Sequence, residues 1–141
     1  MLKGIPPVIS PELLKILCEM GHGDEIVIGD GNFPAASNAA RLVRCDGLGV
    51  PEILDAVLRL IPLDAYVDSP VMLMATGENE ETPEIWNTYE KIVADNNGET
   101  KITQLERFAF YERARKAYAV IATGETAIYA NVILKKGVVQ A

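Results

Sequence analysis

The unbroken apolar run Val71-Met72-Leu73-Met74-Ala75 constrains the fold more than any other stretch of this 141-residue chain. A strand that never alternates with polar residues has no face to offer water. It belongs in the middle of a sheet covered on both sides. Glu25-Ile26-Val27-Ile28-Gly29 reads as a second short buried strand, ending at Asp30. Arg41 to Cys45 and Lys101 to Leu105 read as further strands. Helical stretches lie between them. Ser10-Pro11-Glu12 opens the first, with Ser10 as cap and Pro11 in the first turn. Leu13, Leu14, Leu17 and Cys18 line one face of it, and Gly21 stops it. Pro51 to Leu60, Pro83 to about Ala94 and Arg107 to Ala117 follow as helices. Trp86 and Tyr89 read as core packing on one helical side. Gly77 to Thr82 is acidic and reads as a mobile loop.

Tyr118 to Ala122 and Ala127 to Leu134 are predicted strands around Thr123-Gly124-Glu125-Thr126. That short Gly-containing connection predicts a hairpin. Alternating strands and helices predict an α/β protein, a three-layer sandwich in a single domain covering residues 1–141. The terminal hairpin would make its central sheet mixed.

Composition narrows the function. A net charge of −7 argues against nucleic acid, which needs a basic face, and against anionic membrane surfaces. No apolar run is long enough to span a bilayer. Met1-Leu2-Lys3-Gly4-Ile5-Pro6-Pro7 lacks the apolar core and cleavage site of a signal peptide, which predicts a cytoplasmic protein. Cys18 and Cys45 form no CxxC and are expected to be reduced, buried thiols. One histidine and no cysteine cluster argue against a zinc site. GxGxxG, GxxxxGK[ST] and GxSxG are all absent, so neither nucleotide binding nor a serine hydrolase is supported.

Three constellations could carry chemistry. The first is His22, the only histidine, in Met20-Gly21-His22-Gly23-Asp24, with Asp30 eight residues on. Imidazole is the side chain suited to moving protons near neutral pH, though a histidine at a helix C-terminus is also favoured by the dipole there. Asp30 stands where a strand ends, a place where α/β proteins bind ligands or make a turn. Asp24 reads as turn chemistry. The second is Arg107-Phe108-Ala109-Phe110-Tyr111-Glu112-Arg113. Arg107 and Tyr111 share one helical face and could grip vicinal hydroxyls or simply sit at the surface, while Glu112 and Arg113 read as a solvated face. The third is Tyr129-Ala130-Asn131. In a strand Tyr129 and Asn131 point to one side, and Asn131 needs a ligand or a structural partner if buried. Lys135-Lys136-Gly137 reads as a solvated strand end.

These motifs resemble the L-fucose mutarotases, of the wider family that includes the D-ribose pyranases. The resemblance rests on Leu2-Lys3-Gly4-Ile5, Ser10-Pro11-Glu12-Leu13-Leu14, Met20 to Glu25, Asn32-Phe33-Pro34, Pro62-Leu63-Asp64, Glu106 to Ala114, Thr123-Gly124-Glu125 and Tyr129 to Gly137. It covers nearly the whole chain and is weakest from about Thr76 to Thr100. It implies a mixed-sheet α/β fold in a ring-based homo-oligomer, often a decamer, with a cofactor-free, metal-free site shared by neighbouring subunits. By motif, His22 would transfer protons. Asp30, Arg107 and the stretch from Tyr129 to Asn131 would contact a monosaccharide, with Tyr111 close by. Gly29 and Gly31 stand where members of this family often carry alanine, and Ala130 where many carry glycine. A ribose pyranase-like activity and a non-catalytic sugar-binding role are the alternatives, and the latter would not require His22.

Overall fold

The computed structural model describes all 141 residues, and its elements stack as three layers. In chain order they are α1 (Pro11–Glu19), β1 (Glu25–Gly29), α2 (Ala35–Asn38), β2 (Leu42–Cys45), α3 (Val50–Leu58), β3 (Val71–Met74), α4 (Ile85–Asn97), β4 (Ile102–Leu105), α5 (Arg107–Lys116), β5 (Ala119–Thr123) and β6 (Val132–Lys135). The sheet has six strands in the order β2-β5-β1-β6-β3-β4. The period of two along each strand divides the core. Ile26, Ile28, Ile121, Val132 and Leu134 pack beneath α1, α3 and α4, while Val27, Val120 and Ile133 pack against α2 and α5. Burying one such side chain contributes about 1.5–3 kcal/mol. β3 is buried at every residue, as its composition demands.

The predicted hairpin does not form. β5 runs parallel to both β1 and β2, and β6 runs antiparallel to β1 and β3. β1 therefore lies between the two strands expected to pair. The sheet is mixed, but because β6 is its one reversed strand. Ile26 shows the reason: it faces Ala119 on one side and Leu134 on the other, so β1 is buried by both neighbours. The segment 127–131 is not strand at all, and Tyr129 adopts a left-handed backbone with φ 52.

Ser10 caps α1 by accepting a hydrogen bond from the Leu13 amide at 3.1 Å. Gly21 follows the helix without a left-handed turn; Gly23, at φ 88, makes that turn instead. Cys18 is exposed and Cys45 half-buried, and both are free. The expectation of two buried thiols thus fails at Cys18, because Ile16 occupies the core side of α1. Arg113 is not solvated either: it grips Glu25 through two hydrogen bonds, at 2.9 and 2.6 Å, and Lys135 approaches the same carboxylate at 3.5 Å. No helix is long and apolar enough to cross a membrane.

Candidate active site

Five strands run one way, so their carboxyl ends share one edge of the sheet, the usual place for ligands in α/β folds. Asp30 follows β1 there. Arg107 begins α5 just after β4, presented by Glu106, whose carboxylate caps the helix by accepting from the amides of Phe108 and Ala109. Asn131 immediately precedes the reversed β6 and so reaches the same edge. A cleft of about 340 Å³ opens between them, lined by Asp30, Phe33, Arg107, Tyr111, Tyr129 and Asn131 with Asn32, Met74, Glu80 and Ile128 around the rim. Its size suits a small ligand.

The expected cleft residues are thus brought together. The Arg107 Nε–H donates to the Tyr111 hydroxyl at 3.1 Å, as their helical spacing predicts. Asn131 Oδ1 accepts from the Asp30 amide at 2.8 Å. Asp30 itself accepts from the amides of Asn32 (3.0 Å) and Ala130 (3.3 Å). Burial pushes the Asp30 carboxyl above its ordinary range, although these amides pull the other way. The Asp30 turn is tight rather than loose. A side chain on Gly31 would meet the Glu125 carbonyl at 2.9 Å, and one on Gly29 would strike the Phe33 ring. Phe33 in turn packs edge-on against Phe110 and Tyr111. Tyr129 and Asn131 reach one cleft not by strand alternation but through the left-handed turn at Tyr129. That turn is braced from α4: the Trp86 indole N–H donates to the Tyr129 carbonyl and the Tyr89 hydroxyl to the Ala130 carbonyl, each at 2.8 Å. Trp86 and Tyr89 are core residues, as expected, but their polar tips shape the site.

His22 does not join this cleft. It precedes β1 whereas Asp30 follows it, so the strand separates them by roughly 15–20 Å at ~3.3 Å per residue. The grouping of His22 with Asp30, drawn from their nearness in sequence, is therefore not a contact within one chain. His22 Nε2 lies 3.0 Å from Asp64 Oδ1, and its ring leans on Tyr66 with centroids 5.5 Å apart. The Asp64 side chain is buried, while that of His22 is 46% exposed. The same Asp64 oxygen accepts from the Tyr66 amide at 3.0 Å. That amide and His22 hold the Asp64 carboxyl below its ordinary range. Leu63 bridges to Lys136 beyond β6, which anchors Asp64 beside the start of β1. Asp24 accepts from the Gly21 amide, the turn role expected of it. Asp64 and Phe33 were visible only as parts of motifs, and Glu80 had no sequence signal beyond its acidic loop.

The layered mixed sheet, with a polar cleft at its carboxyl edge, defines an α/β protein whose cleft lies where such folds place small ligands. The chain belongs to the RbsD / FucU transport protein family, whose model matches residues 3–139. It is 54% identical to a fucose mutarotase of Mus musculus over 96% of this chain and 94% of that protein. It is 49% identical to an L-fucose mutarotase of Actinobacillus pleuropneumoniae over 98% and 97%. Among solved structures it resembles the fucose mutarotase of Streptococcus pneumoniae in complex with L-fucose, at 55% identity, TM-score 0.96, and 99% and 100% coverage. Bacillus subtilis RbsD complexed with D-ribose matches at 25% identity, TM-score 0.75, over 99% of this chain and 100% of that one.

Proposed function

We propose that this protein is an isomerase exchanging the α and β anomers of L-fucose, at a site completed by His22 of a neighbouring subunit. The cleft carries the reading: a carboxylate, a guanidinium and an amide converge on a space of monosaccharide size. Relatives at about half identity, one of them a fucose complex, support it.

Anomer exchange requires a base to take the anomeric hydroxyl proton and an acid to protonate the ring oxygen. The ring opens to the aldehyde, the carbonyl rotates, and the ring closes on its other face. Both steps are proton transfers, so no redox group or metal is called for. Asp30, Arg107, Tyr111, Tyr129 and Asn131 hold the sugar. Arg107 keeps its proton at all useful pH values, so it grips hydroxyls and moves none. His22 moves protons. Its Nε2–H donates to Asp64, which leaves Nδ1 as the free nitrogen of the neutral ring. Asp64 acts through His22, fixing tautomer and orientation.

Large apolar side chains lie exposed at both ends: Phe108 and Ile128 beside the cleft, Tyr66 and Val67 beside His22. Such surfaces mark contacts. Joining one end to the other end of the next copy is a heterologous contact, the kind that builds a ring when the rotation between copies closes. The proposed assembly is a homo-oligomer, a decamer, in the cytoplasm.

The test is saturation-transfer NMR of anomer exchange across reducing sugars, with His22→Ala and Arg107→Ala proteins assayed alone and after co-reassembly. At fucose concentrations well below the wild-type KM each alone should be strongly impaired, His22→Ala in turnover and Arg107→Ala in binding. Mixed oligomers should regain activity, because some sites then combine an intact cleft with an intact His22. No recovery from mixtures shown to exchange subunits would put the site within one chain. A ribose preference has the weaker support of a 25% identical neighbour.

A further inference from the structure

We infer that Glu80, on the loop between β3 and α4, is a specificity-determining residue of the sugar cleft: it latches Tyr129 with one carboxylate oxygen and takes a sugar hydroxyl with the other. The inference rests on the cleft being a monosaccharide site. Glu80 lines the cleft together with Asp30, Arg107 and Asn131. The Tyr129 hydroxyl donates to Glu80 Oε1 at 3.0 Å. Glu80 Oε2 makes no hydrogen bond within the chain, so it keeps its full accepting capacity.

The loop is shaped for this. The Glu80 amide donates to the Gly77 carbonyl at 3.1 Å, a turn that carries the carboxylate back over the cleft. A Cβ at Gly77 would come within 3.0 Å of Glu80 Oε1, so the glycine makes room for the latch. Tyr129 is the chain's only non-glycine residue with positive φ. Such a conformation is strained for a residue with a side chain and persists only where its surroundings hold it. Trp86 and Tyr89 hold the backbone of this turn, and Glu80 holds the tip of its side chain. Two carboxylates, Asp30 and Glu80, then face one guanidinium, Arg107. That balance suits the many hydroxyl donors of a neutral sugar and disfavours an anionic one. All these contacts come from residues 77–89, within the stretch that resembles the mutarotases least. This loop is where preference among sugars would be set.

The experiment measures anomer exchange and, in parallel, binding by ligand-observed NMR. It uses the full-length wild-type, Glu80→Ala and Glu80→Gln proteins with L-fucose and its singly deoxygenated analogues. A hydrogen bond to a charged group corresponds to about tenfold or more in affinity. Glu80→Ala should raise KM for fucose about tenfold while kcat changes less. Glu80→Gln can still accept from Tyr129 but presents an amide NH2, a donor, where the second carboxylate oxygen stood, so it should keep the turn and recover only a minor part of the loss. One deoxy analogue should bind wild type about tenfold more weakly than fucose and bind Glu80→Ala no more weakly than fucose does. An unchanged KM in Glu80→Ala overturns the inference. So does an equal loss for every analogue, because Glu80 would then touch no hydroxyl. A wild-type protein that binds fucose but exchanges no anomer defeats the mutarotase reading, and the binding arm still judges Glu80.

Discussion

Asp30 and Asp64 are the same residue type, 6% and 4% exposed, at opposite ends of the sheet, and their carboxyl groups shift in opposite directions. At the cleft, desolvation dominates and the like charge of Glu125 adds to it, so Asp30 is pushed up. At the other end the Tyr66 amide, His22 and the cation of Lys135 hold Asp64 down. Burial alone therefore does not decide a carboxylate's state; the groups that meet it do. The contrast also separates two jobs. Asp64 is committed to residues of its own chain, which suits a group that orients His22. Asp30 has accepting capacity left, which suits a group awaiting hydroxyls.

The largest expected effect comes from His22. Its replacement by Ala or Gln should lower anomer exchange by about 10²–10⁴-fold, the usual contribution of general acid–base catalysis, and leave sugar binding intact. Exchange at the parental rate would erase the division of labour between the two ends. Next come Asp30→Asn and Arg107→Ala, which should weaken fucose binding by about 10–100-fold, since hydrogen bonds to charged groups contribute roughly 1.5–3 kcal/mol. Calorimetric titration decides, and parental affinity in both variants would make these residues structural.

The pH dependence of stability sharpens the same pairing. Ionised Asp64 is favoured by folding, so its contribution is complete above 3.8 and disappears as the pH falls through its lowered value. Asp64→Asn should be less stable than wild type at neutral pH, with the gap closing in acid. Asp30 has the reverse sign. Its raised carboxyl favours folding only while protonated, so its contribution declines as the pH rises from 3.8 through the raised value. Asp30→Asn should gain on wild type over that interval. Chemical denaturation of both variants between pH 3 and 7 gives the two slopes, and slopes of one sign would contradict the opposed shifts. The smallest effect is expected from Trp86→Phe, which removes one indole hydrogen bond to Tyr129. A loss of roughly 1 kcal/mol in stability and a modest rise in KM are expected from urea titration and exchange kinetics.

Much of this architecture can be read from the chain. β1 and β3 stand out because buried strands need apolar residues on both faces. Ser10 and the Arg107–Tyr111 spacing announce local geometry that local residues determine. The hairpin expectation fails because its evidence was local while the pairing is not. Nothing between Thr123 and Val132 reveals that β1, a hundred residues earlier, takes the place between β5 and β6. The four-residue α2 likewise follows a Pro34 that gives it no side-chain cap. At the site, the cleft residues were legible as motifs. Their separation from His22 was not, because nearness along the chain conceals the strand that runs between His22 and Asp30.

β6 is the last strand made and stands in the middle of the sheet. Without it the sheet order divides into two half-sheets, β2-β5-β1 and β3-β4, whose inner edges both lack a neighbour. Only when Val132–Lys135 arrives can it act as keystone between β1 and β3. Unpaired edges invite association with other chains. A chain that lacks β6 therefore has two exposed edges in the middle of its sheet. The same strand holds the turn from Tyr129 to Asn131 on the carboxyl edge, so sheet and cleft are closed by one element. A truncation just before Val132 would remove under a tenth of the chain and abolish both.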